Sequence, residues 1–268
     1  MITPRAGTSL SEAFASARRA GRRALIGYLP AGFPDGDTFV DVVRAAAGAG
    51  LDVLELGLPV ADPYLDGPVI QAALSRQRAA GVTLPEALAL ACRVRRAAGI
   101  PVVAMGYGKQ LPEPASALVQ ALAERGIDGV LLPDLDEREF EALAKAAAGA
   151  GVAAVAFASA DLPEEALQRR VAACGGFVYV QSGARRTGTP IDPGEAGMLV
   201  RRVDAARAGR PIPLAVGFGI RGPGDVRAVA ELPVDGVIVG TALVEAAASS
   251  TEALRRAVRR LAEAATGR

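Results

Sequence analysis

Residues 51–71 read LDVLELGLPVADPYLDGPVIQ, and the architecture of the chain can be worked out from this stretch. Its first part, VLELG, is an apolar run of strand type that stops at Gly57. Pro59, Pro63 and Pro68 then break the chain into a loop, and the amphipathic segment VIQAALSRQRAAG follows. A near-continuous apolar strand of this length belongs in a sheet covered on both faces, as parallel sheets are. Strand, loop and helix make one βα unit. Four carboxylates punctuate it: Asp52 at its start, Glu55 inside the strand, and Asp62 and Asp66 in the loop.

The same rhythm recurs outward in both directions. Candidate strands are ALIGYL from Ala24, LDVLELG from Leu51, PVVAMGY from Pro101, DGVLLP from Asp128, VAAVAFA from Val152, GFVYVQ from Gly176, PLAVGFG from Pro213 and DGVIVG from Asp235. Between them lie Ala-rich helical segments, several of which end in Gly, the usual residue past a helix C-terminus. LSEAFASARRAG before the first strand reads as an extra helix, with Ser9 as its N-cap. Eight βα units predict an α/β protein, a closed (β/α)8 barrel with an added N-terminal helix, as one domain over residues 1–268. The alternative is a doubly wound open sheet, but the first strand lacks the G-x-G-x-x-G turn of dinucleotide-binding folds.

Composition narrows the function. The chain has 268 residues, net charge +1, and 30 basic against 29 acidic residues spread along its length, so no footprint for nucleic acid or membrane is present. The N-terminal residues are polar, without the apolar core of a signal peptide, and no uninterrupted apolar run reaches membrane-spanning length. A cytoplasmic location is expected, with Cys92 and Cys174 as free thiols. Histidine is absent, which removes His-based triads and His-ligated metals; no metal is expected.

Barrel chemistry sits at the carboxyl ends of the strands. Glu55 lies two residues before the end of its strand, and alternation puts it on the face shared with Val53, pointing into the barrel mouth. Desolvation there raises a carboxyl pKa toward general acid/base use. An outward Glu55 paired with an arginine is the alternative. Asp66 either caps the following helix or is swung over the mouth to face Glu55. Asp62 before Pro63 reads as a turn residue, and Asp52 lies at the wrong end of the barrel.

The segments AVGFGIRGPGD and DGVIVGTALVEAA supply a second feature. Gly217, Gly219, Gly240 and Thr241 let backbone N–H groups and helix N-termini close on a phosphate, at the usual barrel position after strands seven and eight. The loop SGARRTGTP after the sixth candidate strand adds Thr187 and Gly188, with Arg185 and Arg186 either solvated or adding positive charge.

At these residues the chain resembles the α subunit of tryptophan synthase over nearly its whole length. LELGLPVADPYLDGPVIQ (54–71) is similar to that family's second strand and loop. The order of Tyr107, PDL at 133–135, Tyr179, Thr187–Gly188, GFGI at 217–220 and VGTA at 239–242 agrees. The resemblance implies retro-aldol cleavage of indole-3-glycerol phosphate to indole and glyceraldehyde 3-phosphate. It implies no metal and no cofactor, with pyridoxal phosphate held by a β-subunit partner in an α2β2 assembly. It makes Glu55 the general acid/base and Asp66 the acceptor of the indole N–H. Tyr179 falls near Glu55; Tyr28, Leu131, Phe218 and Ile238 fit a pocket for a flat ring, and Tyr107 is counted with them among the substrate-binding residues; Gly188, Gly219, Gly240 and Thr241 match the phosphate site, with Thr187 beside them. Val60, Ala61, Lys109, Asp136 and Arg185 depart from the family pattern in loops that meet the partner or close the site. The alternatives are a stand-alone indole-releasing lyase with weakened β-subunit coupling, a Schiff-base aldolase using Lys109, and a subunit that only activates its partner.

Overall fold

The computed structural model describes residues 9–111, 114–182 and 192–266. Its strands are β1 (Ala24–Pro30), β2 (Val53–Gly57), β3 (Val102–Met105), β4 (Gly129–Leu131), β5 (Ala153–Ala154), β6 (Ala156–Ala158), β7 (Val178–Gln181), β8 (Leu214–Gly217) and β9 (Gly236–Val239). They pair in parallel in the order β5-β4-β3-β2-β1-β9-β8-β7-β6. The two ends of that order, β5 and β6, are successive pieces of one segment, so the sheet closes on itself. Eight candidate strands are present, and the fifth, VAAVAFA, is divided at Val155. The Val155 amide donates to Val130 on one side, and the Ala156 amide donates to Phe177 on the other. The segment thus passes from one neighbour to the next, which seals the barrel.

Alternation along each strand sorts the core into two bodies. Side chains pointing outward, such as Leu25, Leu54, Val102 and Val130, pack beneath the surrounding helices. Side chains pointing inward, including Ile26, Val53, Val103, Leu131, Phe157, Phe177, Tyr179 and Ile238, fill the barrel. The added N-terminal helix is Leu10–Arg19, and the Ser9 hydroxyl accepts from the Glu12 amide as expected of its N-cap. Its Phe14 and Leu10 plug the bottom of the barrel, where Gly236 and Gly129 leave them room. A Cβ on Gly236 would stand 2.9 Å from the Phe14 ring.

Three aspartates that precede strands share one task. Asp52 accepts from the Leu25 amide at 2.7 Å, Asp128 from Val102 at 3.0 Å, and Asp235 from Leu214 at 2.9 Å. Each carboxylate satisfies a backbone donor at the start of an adjoining strand. Asp52 also pairs with Arg22, at the end of the barrel opposite the mouth. Asp128 forms a two-pronged buried pair with Arg95.

Candidate active site

β2 sits between β1 and β3 with Tyr28, Glu55 and Val103 in register. Period-two geometry therefore turns Glu55 inward with Val53, and Glu55 is only 2% exposed. Its Oε1 has no hydrogen-bond partner among the described residues, arginines included, which leaves that atom available to a reacting group. Burial, and after it the charge of Asp66, push the Glu55 pKa up to about 8. Glu55 is then mostly a neutral acid at neutral pH.

The loop after β2 brings Asp66 to the same place. Asp66 does not cap the following helix, Pro68–Ala79: the N-cap is Gly67, with no side-chain cap bond. Instead Asp66 Oδ2 accepts from the Tyr107 hydroxyl at 2.7 Å. That hydroxyl also accepts from the Leu65 amide at 3.3 Å. The helix returns a further bond, since Gln71 Nε2 donates to the Asp66 carbonyl at 2.9 Å. Burial raises the Asp66 pKa to about 6, against the opposing pull of the Tyr107 hydrogen bond. Two carboxyl groups in one cavity thus have separated titrations, one suited to be an acid and the other an anion.

The cavity encloses about 660 Å3 counting the space at its mouth, and Glu55 and Asp66 both face it. Tyr28, Leu131, Tyr179, Phe218, Gly219, Ile238, Gly240 and Thr241 line it as well. Tyr179 and Phe218 meet edge to face at 5.8 Å, and Phe157 stands 5.4 Å from Tyr179, giving an aromatic wall. Tyr28 and Tyr179 flank Glu55, and burial holds both phenols well above their ordinary pKa. Gly240 is the N-cap of the helix Thr241–Ser249, and Gly240 and Thr241 both line the cavity, so the start of that helix borders it. Gly219 has φ +73°, a conformation costly for any residue with a side chain.

The structure corrects several roles expected for glycine and tyrosine. Tyr107 does not line the cavity; it stands behind Asp66 and holds it. Gly217, expected at the anion cradle, does not line the cavity. A Cβ there would overlap the Tyr179 hydroxyl, so this glycine makes room for the tyrosine. Gly57 does the same for Tyr28. Thr187, Gly188, Arg185 and Arg186 lie outside the described residues. Lys109 is exposed on the 3-10 turn Gly108–Gln110 and does not line the cavity. Asp136 caps the helix Glu137–Ala150 in a reciprocal box with Glu139, so its charge has a task within the chain. Sequence reasoning missed Met105, Pro133, Phe157 and Arg221 in the lining. Alternation within VAAVAFA is the signal that would have found Phe157.

A closed parallel barrel with two buried carboxyl groups, an aromatic wall and a helix start around one cavity has the form of a barrel enzyme. A family model described as tryptophan synthase alpha chain matches residues 14–267. The chain belongs to the tryptophan synthase alpha chain family. It is 40% identical over 258 residues to the tryptophan synthase alpha chain of Halorhodospira halophila, covering 93% of each chain. It is 39% identical to that of Alkalilimnicola ehrlichii, covering 95% of this chain and 93% of the other. A structure of Mycobacterium tuberculosis tryptophan synthase superposes with a TM-score of 0.88 at 33% identity, covering 97% of this chain and 99% of that one.

Proposed function

We propose that Glu55 and Asp66 carry out, in this chain, the family's lyase reaction: retro-aldol cleavage of indole-3-glycerol phosphate to indole and glyceraldehyde 3-phosphate. The observation that supports these roles best is the pairing of a neutral Glu55, with one oxygen unpartnered, and a Tyr107-held Asp66 on a single apolar cavity. Neutral Glu55 donates its proton to the indole ring carbon that bears the glycerol chain. The ring becomes a cation, and Asp66, accepting the indole N–H, stabilises it. The carbon–carbon bond then breaks and its electron pair returns to the ring. The Glu55 carboxylate takes the proton of the adjoining hydroxyl, whose carbon becomes the aldehyde. Glu55 ends the cycle protonated, so a single group serves as acid and then base.

Tyr28, Leu131, Tyr179, Phe218 and Ile238 hold the ring, and Gly219, Gly240 and Thr241 hold the phosphate. Thr187 and Gly188 belong to the same anion site in this reading, and Arg221 at the mouth adds positive charge. The chain works without a cofactor of its own. Its partner is a tryptophan synthase β subunit, which carries pyridoxal phosphate. We take residues 1–268 as one barrel domain with a cytoplasmic location; among the described residues no helix is long and apolar enough to cross a membrane. The comparisons support this reading over a stand-alone lyase, and exposed Lys109 gives no support to a Schiff base. The test is indole release from indole-3-glycerol phosphate by the purified chain, with and without a β subunit. Absence of indole in both arms would refute it.

A further inference from the structure

The loop that carries Asp66 is gripped by a side chain from the next βα unit. Gln110 Oε1 accepts from the Ala61 amide at 3.0 Å and the Asp62 amide at 2.8 Å, while its Nε2 donates to the Asp62 carbonyl at 2.5 Å. Arg78 adds a bond to the Ala61 carbonyl at 2.8 Å. The turn that bears Gln110 is itself fixed: the Asp134 carboxylate accepts from the amides of Gly108 at 2.6 Å and Lys109 at 3.0 Å. We propose that Gln110 is a positioning residue for Asp66, clasping the loop from within the chain in the arrangement that presents Asp66 to the cavity. This rests on the role of Asp66 proposed above.

A side-chain amide suits the task because it offers an acceptor and a donor together, matching the N–H and C=O of a loop backbone. Without it those three groups would turn to water, and the loop would regain backbone freedom. Pro63, next to the clasped residues, fixes φ and transmits their placement toward Asp66. The clasp at 61–62 and the Tyr107 bond at Asp66 then fasten both ends of a short segment.

The experiment compares the full chain with Gln110→Ala and Gln110→Glu. Hydrogen exchange is read at the amides of Ala61 and Asp62, and kcat and KM are measured for indole-3-glycerol phosphate. Loss of several hydrogen bonds should speed exchange at both amides, and lower kcat, by about tenfold. Glycerol phosphate affinity should stay unchanged, since that anion binds other loops. Gln110→Glu keeps the acceptor, loses the donor, and should fall between. Because Gln110 acts through Asp66, adding Gln110→Ala to Asp66→Asn should cost less than about twofold in kcat. Unchanged exchange, or the same kinetic loss in both backgrounds, would overturn the proposal. Faster exchange in the variant, with no cleavage even by the parent chain, would support the clasp and refute the reaction assigned above.

Discussion

The Tyr107 hydroxyl donates to Asp66 Oδ2 across 2.7 Å, tying the end of the third βα unit's strand to the loop of the second. That bond opposes the burial that raises the Asp66 pKa to about 6. In the reaction proposed for this chain Asp66 is ionised while Glu55 is not, and this bond favours that division.

Tyr107→Phe removes the bond and keeps the ring. The Asp66 pKa then rises, so the acid limb of kcat/KM against pH should move up, by about one pH unit. The profile of the parent chain should be bell-shaped, between about 6 for Asp66 and about 8 for Glu55. An acid limb that stays in place in the variant would show that Asp66 does not set it.

Glu55→Gln should lose about 10²–10⁴-fold in kcat, with glycerol phosphate binding intact. The same variant has a stability signature. Because the folded-state pKa of Glu55 is raised, its stabilising effect is full below about 4.5 and is lost as pH rises through about 8. Glu55→Gln should therefore stabilise the fold more at pH 8 than at pH 5, by at least about 1 kcal/mol. Denaturant titration at the two pH values checks this; equal effects would contradict a buried, desolvated carboxylate.

Gly217→Ala tests the reassignment of that glycine. The new Cβ would run into the Tyr179 hydroxyl and displace the ring from the aromatic wall. We expect kcat/KM to fall by about tenfold or more, as overpacking in a well-filled site does, with glycerol phosphate affinity little changed. A loss confined to glycerol phosphate binding would return Gly217 to the anion site. Gly240→Val should show the opposite split, because its side chain would crowd the helix N-terminus.

Asp128→Ala removes the two-pronged partner of buried Arg95 and takes the acceptor from the Val102 amide. Breaking such a pair costs about 3–5 kcal/mol. Chemical denaturation should show that loss. A loss below about 1 kcal/mol would mean that Arg95 makes up the interaction elsewhere.

The βα rhythm, the eight strand positions, the capping Ser9 and the inward turn of Glu55 were all legible along the chain. Those features are written in local periodicity, where alternation of two and of three to four residues is imposed by the backbone. Gly240 and Thr241 could be placed at a helix start for the same reason, since strand, Gly and helix follow one another in sequence. Other features came only with the folded chain. Val155 divides a strand because the barrel must close there, between partners that are remote in sequence. Tyr107 stands behind Asp66, Gly217 yields to Tyr179, and Gln110 clasps residues 61–62, each through contacts between separate βα units. Local pattern specifies which face a side chain takes. Which distant group it meets depends on the closure of the sheet and the path of its loops, and no spacing along the chain encodes that directly.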